Sequence, residues 1–233
     1  MSIYDIKEGA IFIADAHYPH HGDEFIKILK KIETKEIQPP QLFLIGDIFD
    51  LLFGYNEYIK SFSIQAILLL QKISETIETH YIEGNHDFCL KDIFPNIKIY
   101  SRKIQPINFR LNNQSVYISH GDLYETGFGY NLYSKFLRNK ISLRVLKPFE
   151  KIIIDYQIKK LKKKSICHDF KSFEKKVISI IKHYPSNSLI IEGHFHQAKQ
   201  IKNYISLPSL ACQKQIGIIK NQKLVFEDIT PQK

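Results

Sequence analysis

Short apolar runs alternate with longer stretches of helical periodicity along the first half of the chain. Residues 10–14 and 42–45 are compact apolar runs, and 80–82 is a shorter one; each reads as a buried strand. Between them, 24–32 and 59–77 place apolar residues three and four apart, which predicts a helix over each, the second a long one. Strand–helix alternation of this kind predicts an α/β domain, a sheet covered by helices. From residue 97 the texture changes. Closely spaced strand patterns occupy 97–100, 104–109 and 116–119, with Asn112-Asn113 as a turn between the last two. Strand patterns return at 189–191, 199–205, 215–219 and 224–227. Segment 131–184 interrupts them. Its apolar residues, among them Leu132, Phe136, Val145, Phe149, Phe173 and Val177, fall at helical spacing and predict two to four inserted amphipathic helices. Two readings of that insertion stand open: a solvated surface packed on the core, or a cap over a site. The expected organisation is one domain over 1–233 carrying 131–184 as a basic helical insertion.

Charge sharpens this division. The 233 residues carry a net charge of +9. Segment 131–184 alone contributes +11 and the remainder −2. A coat for nucleic acid would spread its charge more widely, and no stripe of aromatics accompanies the lysines, so nucleic acid is not the expected partner. The run Lys162-Lys163-Lys164 suits phosphate, anionic lipid or a solvated helix end. Residues 1–10 lack the order of a signal peptide, and no apolar run approaches the roughly 20 residues that cross a bilayer. The expected location is the cytosol. Cys89, Cys167 and Cys212 are odd in number and widely spaced. Three thiols are expected, and neither a disulfide framework nor a cysteine zinc site.

Five short motifs carry the candidate chemistry, each just after a predicted strand, where loops gather at one edge of a sheet. They are Asp15-Ala16-His17, Gly46-Asp47-Ile48-Phe49-Asp50, Gly84-Asn85-His86-Asp87, His120-Gly121-Asp122 and Gly193-His194-Phe195-His196. Asp-x-His and His-x-His put both side chains on one side of an extended strand. Taken singly, each motif is more often structural. Five together supply carboxylates, imidazoles and one neutral amide, a mixture that suits manganese, iron or zinc. Two such cations about 3.5–4 Å apart lower the pKa of a shared water and stabilise charge on both oxygens of an in-line displacement. No Walker A loop is present, which disfavours an NTPase. His20, His21, His80, His168 and His183 belong to no motif, and His20 and His21 are expected in a solvated loop.

The set resembles the calcineurin-like metallophosphoesterases, whose pattern is D-x-H, G-D-x-x-D, G-N-H-[DE], H-x and G-H-x-H. That resemblance implies a four-layer α-β-β-α sandwich. It implies that Asp15, His17, Asp47 and His196 hold one divalent cation, and that Asp47, Asn85, His120 and His194 hold a second, manganese first among the candidates. It makes His86 a general acid or charge stabiliser oriented by Asp87, with Asp50 and Asp122 behind the ligands. The layout, with one basic insertion between the His120 and His194 motifs, is further similar to the UDP-2,3-diacylglucosamine pyrophosphatases of lipid A synthesis. This second resemblance implies a lipid-linked nucleotide as substrate and peripheral contact with the inner leaflet of a membrane; no obligatory protein partner is expected. It suggests Tyr133, Phe136 and Arg138 as substrate contacts. There are departures. The best-known branch of those enzymes has Arg where this chain has His86, and an expected acidic pair is missing from Leu123-Tyr124-Glu125-Thr126-Gly127. A hydrolase of soluble nucleotides or phosphoproteins is the alternative expectation, and a non-catalytic scaffold of the same fold a further one.

Overall fold

The computed structural model describes residues 4–54, 56–124, 145 and 147–229. Two six-stranded sheets form its centre. Strands β1 (Tyr4–Asp5), β8 (Ile107–Leu111), β9 (Gln114–Ser119), β10 (Leu189–Glu192), β12 (Tyr204–Ser206) and β11 (Lys199–Ile201) make the first, in that spatial order. The second runs β14 (Lys223–Asp228), β13 (Gln215–Lys220), β2 (Ile11–Ile13), β3 (Gln41–Ile45), β5 (Glu78–Ile82) and β7 (Lys98–Tyr100). A small ribbon pairs β4 (Leu52–Phe53) with β6 (Asp87–Phe88). Strands β2, β3, β5 and β7 are mutually parallel, as are β9, β10 and β12.

The layering follows from the period of two along each strand. Phe12, Phe43, Ile45 and Ile82 point between the sheets, where they meet Phe109, Val116, Ile118 and Ile191. The alternate residues Ile11, Ile13, Leu42, Leu44 and Tyr81 point outward, onto helices α1 (Glu24–Glu33), α3 (Ile64–Ile73) and α4 (Glu150–Lys163). On the far side, Ile190 and Tyr204 meet Phe173, Val177 and Ile180 of α5 (Phe173–Ile181). The result is the expected four-layer sandwich. Each fully buried aliphatic or aromatic side chain in it contributes about 1.5–3 kcal/mol.

Of the segment 131–184, the structure describes 145 and 147–184. Its helices are joined to the domain. Ile154 and Ile158 of α4 enter the outer core, Tyr58 donates to Asp155 at 2.7 Å, and the Asn56 amide donates to Glu150 at 2.8 Å. The opposite face of α4 is exposed and apolar, with Phe149, Ile152 and Tyr156 more than 60 % exposed. Among the described residues, no helix is long and apolar enough to cross a membrane.

Three expectations need correcting. The long helix over 59–77 is two helices, α2 (Glu57–Ser61) and α3, separated by Phe62 and Ser63. Asn56 caps α2 by accepting from Ile59 N–H, and Ser63 at φ −132° starts the second helix afresh. The strand over 199–205 is a hairpin of β11 and β12, turned at Lys202 with φ +54°. Cys167 and Cys212 are joined in a disulfide, their Cα atoms 5.4 Å apart, and Cys89 keeps its thiol. Cysteine counting addresses frameworks of several bridges. A single pair is decided by which loops the fold brings together, here the α4–α5 connection and a short helix, α6 (Leu210–Gln213).

His80 is a buried imidazole remote from the five motifs. It stacks on Phe43 and on Tyr100, and its Nδ1 meets the Tyr100 hydroxyl at 2.9 Å. Burial, aided by Lys98, lowers its pKa to about 4 against the pull of Glu78.

Candidate dinuclear metal centre

All five motifs leave the C-terminal ends of parallel strands. Asp15 and His17 follow β2, Asp47 follows β3, and Asn85 and His86 follow β5 in the second sheet. His120 follows β9, and His194 and His196 follow β10 in the first. To turn their side chains together, the backbone adopts left-handed φ at Asp15 (49°), His17 (46°), Asp47 (50°), His194 (62°) and His196 (55°). Non-glycine residues in that region carry strain, and strain of this kind clusters at functional sites. Gly46 is required as glycine on two counts: its φ is +69°, and a Cβ there would lie 2.3 Å from His120 Nδ1.

Three groups of donors converge among the described residues, one of them His17, His21 and Asp50. Asp15, His17 and His196 bring ligand atoms within 4.8 Å of one another, and so do Asp47, His120 and His194. Asn85 Oδ1 lies 3.1 Å from His120 Nε2, and Asp47 Oδ2 lies 3.5 Å from the same nitrogen. The ring tautomers can be derived from their partners. Each Nδ1 of His120, His196 and His86 faces a backbone carbonyl, of Ile45 (3.2 Å), Ile166 (3.0 Å) and Asp50 (2.7 Å) respectively. A carbonyl only accepts, so each Nδ1 carries the proton and each neutral ring presents a lone pair at Nε2. In His120 that lone pair faces Asp47 and Asn85, and in His196 it faces Asp15 at 3.1 Å.

This pattern fits cations. The buried atoms Asp15 Oδ1, His17 Nδ1 and His17 Nε2 make no hydrogen bond. Acceptors facing acceptors at such distances are costly without positive charge between them. The electrostatics agree. Burial disfavours charge on His120 and His196, yet Asp47 and Asp15 respectively raise their pKa values, that of His120 well above the ordinary. Burial likewise opposes the Asp47 carboxylate, yet His120, His86 and His17 hold its pKa well below the usual range. Positive charge, proton or metal, is favoured at both points.

Residues behind the ligands differ partly from expectation. Asp50, expected behind the ligands, instead joins His17 and His21 in a group whose ligand atoms lie within 4.8 Å of one another. Asp122 takes Arg102 Nε at 2.7 Å. Asp50, 1 % exposed, lies 3.5 Å from His17 Nδ1. It also accepts from His20 Nδ1 at 2.9 Å and from His21 Nδ1 at 2.8 Å. His20 and His21 therefore line the site, and the expectation of a solvated loop is corrected. Their side chains are only 12 % and 14 % exposed. Spacing gives no signal for this, since the partner lies 30 and 29 residues away.

Asp87 also needs correction. It does not orient His86, whose ring is held by the Asp50 carbonyl. Its carboxylate accepts from the backbone N–H of Asp47, Ile48, Phe49 and Gly84 and from the Tyr81 hydroxyl, tying the second motif to the third. His86 reaches the centre: its N–H donates to Asp47 Oδ1 at 2.8 Å, and its Nε2 stands 3.9 Å from Asp47 Oδ2. Tyr133, Phe136 and Arg138 lie outside the described residues.

Residues 10–201 match the family model of the calcineurin-like phosphoesterases. The chain belongs to that family. This phosphoesterase is also 26 % identical, over 80 % of its length and 83 % of the relative's, to a UDP-2,3-diacylglucosamine hydrolase of Histophilus somni. It is 23 % identical, over 94 % of its length and 95 % of the relative's, to a protein of the same name from Blochmanniella pennsylvanica. Among solved structures it resembles a phosphoesterase of E. coli, with a TM-score of 0.46, 12 % identity and coverage of 95 % and 99 % of the two chains. It resembles a dimetal phosphatase of Danio rerio with a TM-score of 0.43, 12 % identity and coverage of 94 % and 95 %. Membership of the calcineurin-like family makes it a metal-dependent hydrolase acting on phosphorus esters or anhydrides, with its candidate metal ligands in the groups described above.

Proposed function

We propose that this phosphoesterase hydrolyses the diphosphate of UDP-2,3-diacylglucosamine to UMP and 2,3-diacylglucosamine 1-phosphate. The observation that carries the reading is the joint presence of the Asp15 and Asp47 ligand groups and relatives named for that hydrolysis over most of the chain. When bound, two divalent cations supply Lewis acidity and an activated water. Asp15, His17, Asp47 and His196 would hold one, and Asp47, Asn85, His120 and His194 the other. Manganese is the metal we propose, ahead of iron or zinc.

His86 can donate a proton in one way only. Its Nδ1–H is committed to the Asp50 carbonyl, so Nε2 donates to a phosphoryl or leaving oxygen only as the imidazolium. Burial lowers its pKa, opposed by Asp47. A diphosphate beside it would favour the protonated ring. The exposed face of α4 supports a lipid-bearing substrate. Phe149, Ile152 and Tyr156 sit beside Lys159, Lys160 and Lys163, an apolar strip with basic flanks suited to acyl chains and an anionic leaflet. We place the protein in the cytoplasm with peripheral contact at the inner membrane. His86 itself favours the second reading, hydrolysis of soluble phosphodiesters, because the best-known branch of the lipid enzymes has Arg at that position.

The test incubates manganese-loaded protein with UDP-2,3-diacylglucosamine in detergent and measures UMP and the lipid phosphate. Turnover abolished by EDTA is expected. No turnover, alongside hydrolysis of bis(p-nitrophenyl) phosphate, would discard the lipid substrate and keep the two-metal chemistry.

A further inference from the structure

The Cys167–Cys212 disulfide sits against one candidate metal ligand, His196, on two sides. Cys212 Sγ lies 3.8 Å from His196 Nδ1. Cys167 follows Ile166, whose carbonyl accepts the proton of that same nitrogen at 3.0 Å. The helix bearing Cys212 also builds the neighbouring ligand's backbone: Ser209 Oγ donates to the Asp15 carbonyl at 2.8 Å, and Ala211 N–H to the same oxygen at 3.2 Å. Gln213 Nε2 donates to the His196 carbonyl at 2.7 Å. One cysteine is therefore anchored in the frame of the site, and the other neighbours the carbonyl that fixes the His196 ring.

The second partner has little else to hold it. Lys164, Ser165, Cys167, His168 and Asp169 are all exposed, and Ile166 alone is buried. Apart from the 3.0 Å bond from His196 Nδ1 to the Ile166 carbonyl, the polar ties of this connection to the frame are long: His21 Nε2 to the Lys164 carbonyl, Phe170 N–H to Gln197 Oε1, and Gln197 Nε2 to the His168 carbonyl, each 3.3 Å. The covalent bond is the firm link between the Ile166 carbonyl and the frame. Exposure of Cys167 leaves that link open to attack by a reductant.

We propose that this disulfide is a reducible clasp that sets how firmly the chain holds a cation at Asp15, His17 and His196. A dithiol reductant attacks one sulfur, the S–S bond breaks, and two electrons and two protons pass to the protein as two thiols while the reductant closes to its own disulfide. The connection then loosens, and His196 loses the acceptor that fixes its tautomer and ring plane. Loss of such an outer partner weakens metal binding by about 10- to 100-fold. In the cytoplasm proposed above, where disulfides are chiefly transient or redox-sensing, the bond would report the thiol balance of the compartment. The proposal rests on the reading of Asp15, His17 and His196 as a metal site.

The test loads air-oxidised protein with zinc, counts thiols, and follows zinc transfer to a colorimetric chelator before and after tris(2-carboxyethyl)phosphine. That phosphine takes its oxygen from water as the disulfide becomes two thiols. One thiol is expected before reduction and three after, with one of two release phases faster by about 10-fold. A Cys167→Ser, Cys212→Ser double variant should release zinc at the fast rate in both conditions, which separates the clasp from any direct action of the phosphine. Three thiols in the oxidised protein, or equal release rates with zinc bound, would overturn the proposal alone. A chain that binds no zinc in either state would overturn the metal-site reading and the clasp with it.

Discussion

Replacing Asp87 by Asn separates a loop anchor from a participant in the chemistry. The Asp87 carboxylate is buried, and its two oxygens have different partners. Oδ1 accepts from Asp47 N–H at 3.0 Å and Gly84 N–H at 2.9 Å. Oδ2 accepts from Ile48 N–H at 2.7 Å, Phe49 N–H at 3.3 Å and the Tyr81 hydroxyl at 2.6 Å. Asparagine is nearly isosteric, but one oxygen becomes an NH2 that only donates. The Tyr81 hydroxyl can rotate to accept; a backbone N–H cannot. Whichever way the amide turns, two backbone N–H groups face a donor. Each unpaired buried group costs about 1–3 kcal/mol, so the substitution should cost about 2–6 kcal/mol. For a domain of this size that corresponds to a drop in Tm of roughly 5–20 °C. The assay is thermal unfolding of Asp87→Asn beside the parent, with turnover of bis(p-nitrophenyl) phosphate measured per folded molecule well below the transition. Stability should fall by that amount, and per-molecule activity should fall only as far as the Asp47 loop is displaced. An unchanged Tm with a hundredfold loss of kcat would refute the anchor and return Asp87 to a role in the reaction itself.

Other outcomes follow from the same geometry. Asp47→Ala should lose activity together with bound metal, read by elemental analysis after dialysis, because both ligand sets are expected to use that carboxylate. His86→Ala should keep both metals and lose about 10²- to 10⁴-fold in kcat, the usual range for a positioned proton donor; metal loss in this variant would contradict its assignment. His80, with a folded pKa of about 4, is held neutral. Its contribution is present in full above its ordinary pKa and is lost as pH falls from about 6.5 toward 4, about 3 kcal/mol across that window. Urea unfolding of the parent and His80→Phe between pH 4 and 7 should show a shallower pH dependence in the variant, and parallel curves would exclude a buried neutral His80.

The candidate donors were legible in the sequence because each motif is local. A short apolar strand followed by a polar turn announces itself within ten residues, and parallel strands of one sheet end at the same edge. The break at Phe62-Ser63 was not legible, since neither glycine nor proline marks it. Asp87 was misjudged for a physical reason: adjacency in sequence does not fix contact, and its carboxylate is taken up by backbone N–H groups of the second motif, 38 to 40 residues away, while the Asp50 carbonyl holds the His86 ring. The reach of Asp50 to His20 and His21, and the joining of Cys167 to Cys212, are tertiary encounters across 29 to 45 residues. Nothing local encodes them.

Each candidate cation would draw its ligands from both sheets. One would join Asp15 and His17 of the second sheet to His196 of the first, and the other would join Asp47 and Asn85 to His120 and His194. The metals would then be rivets across the mouth of the sandwich, and catalysis and mechanical closure would share the same bonds. Stripping them would let the sheet edges part where the loops are most strained, and stability would track free metal as RT ln(1 + [L]/Kd). Metal starvation would lower the amount of folded enzyme as well as its activity.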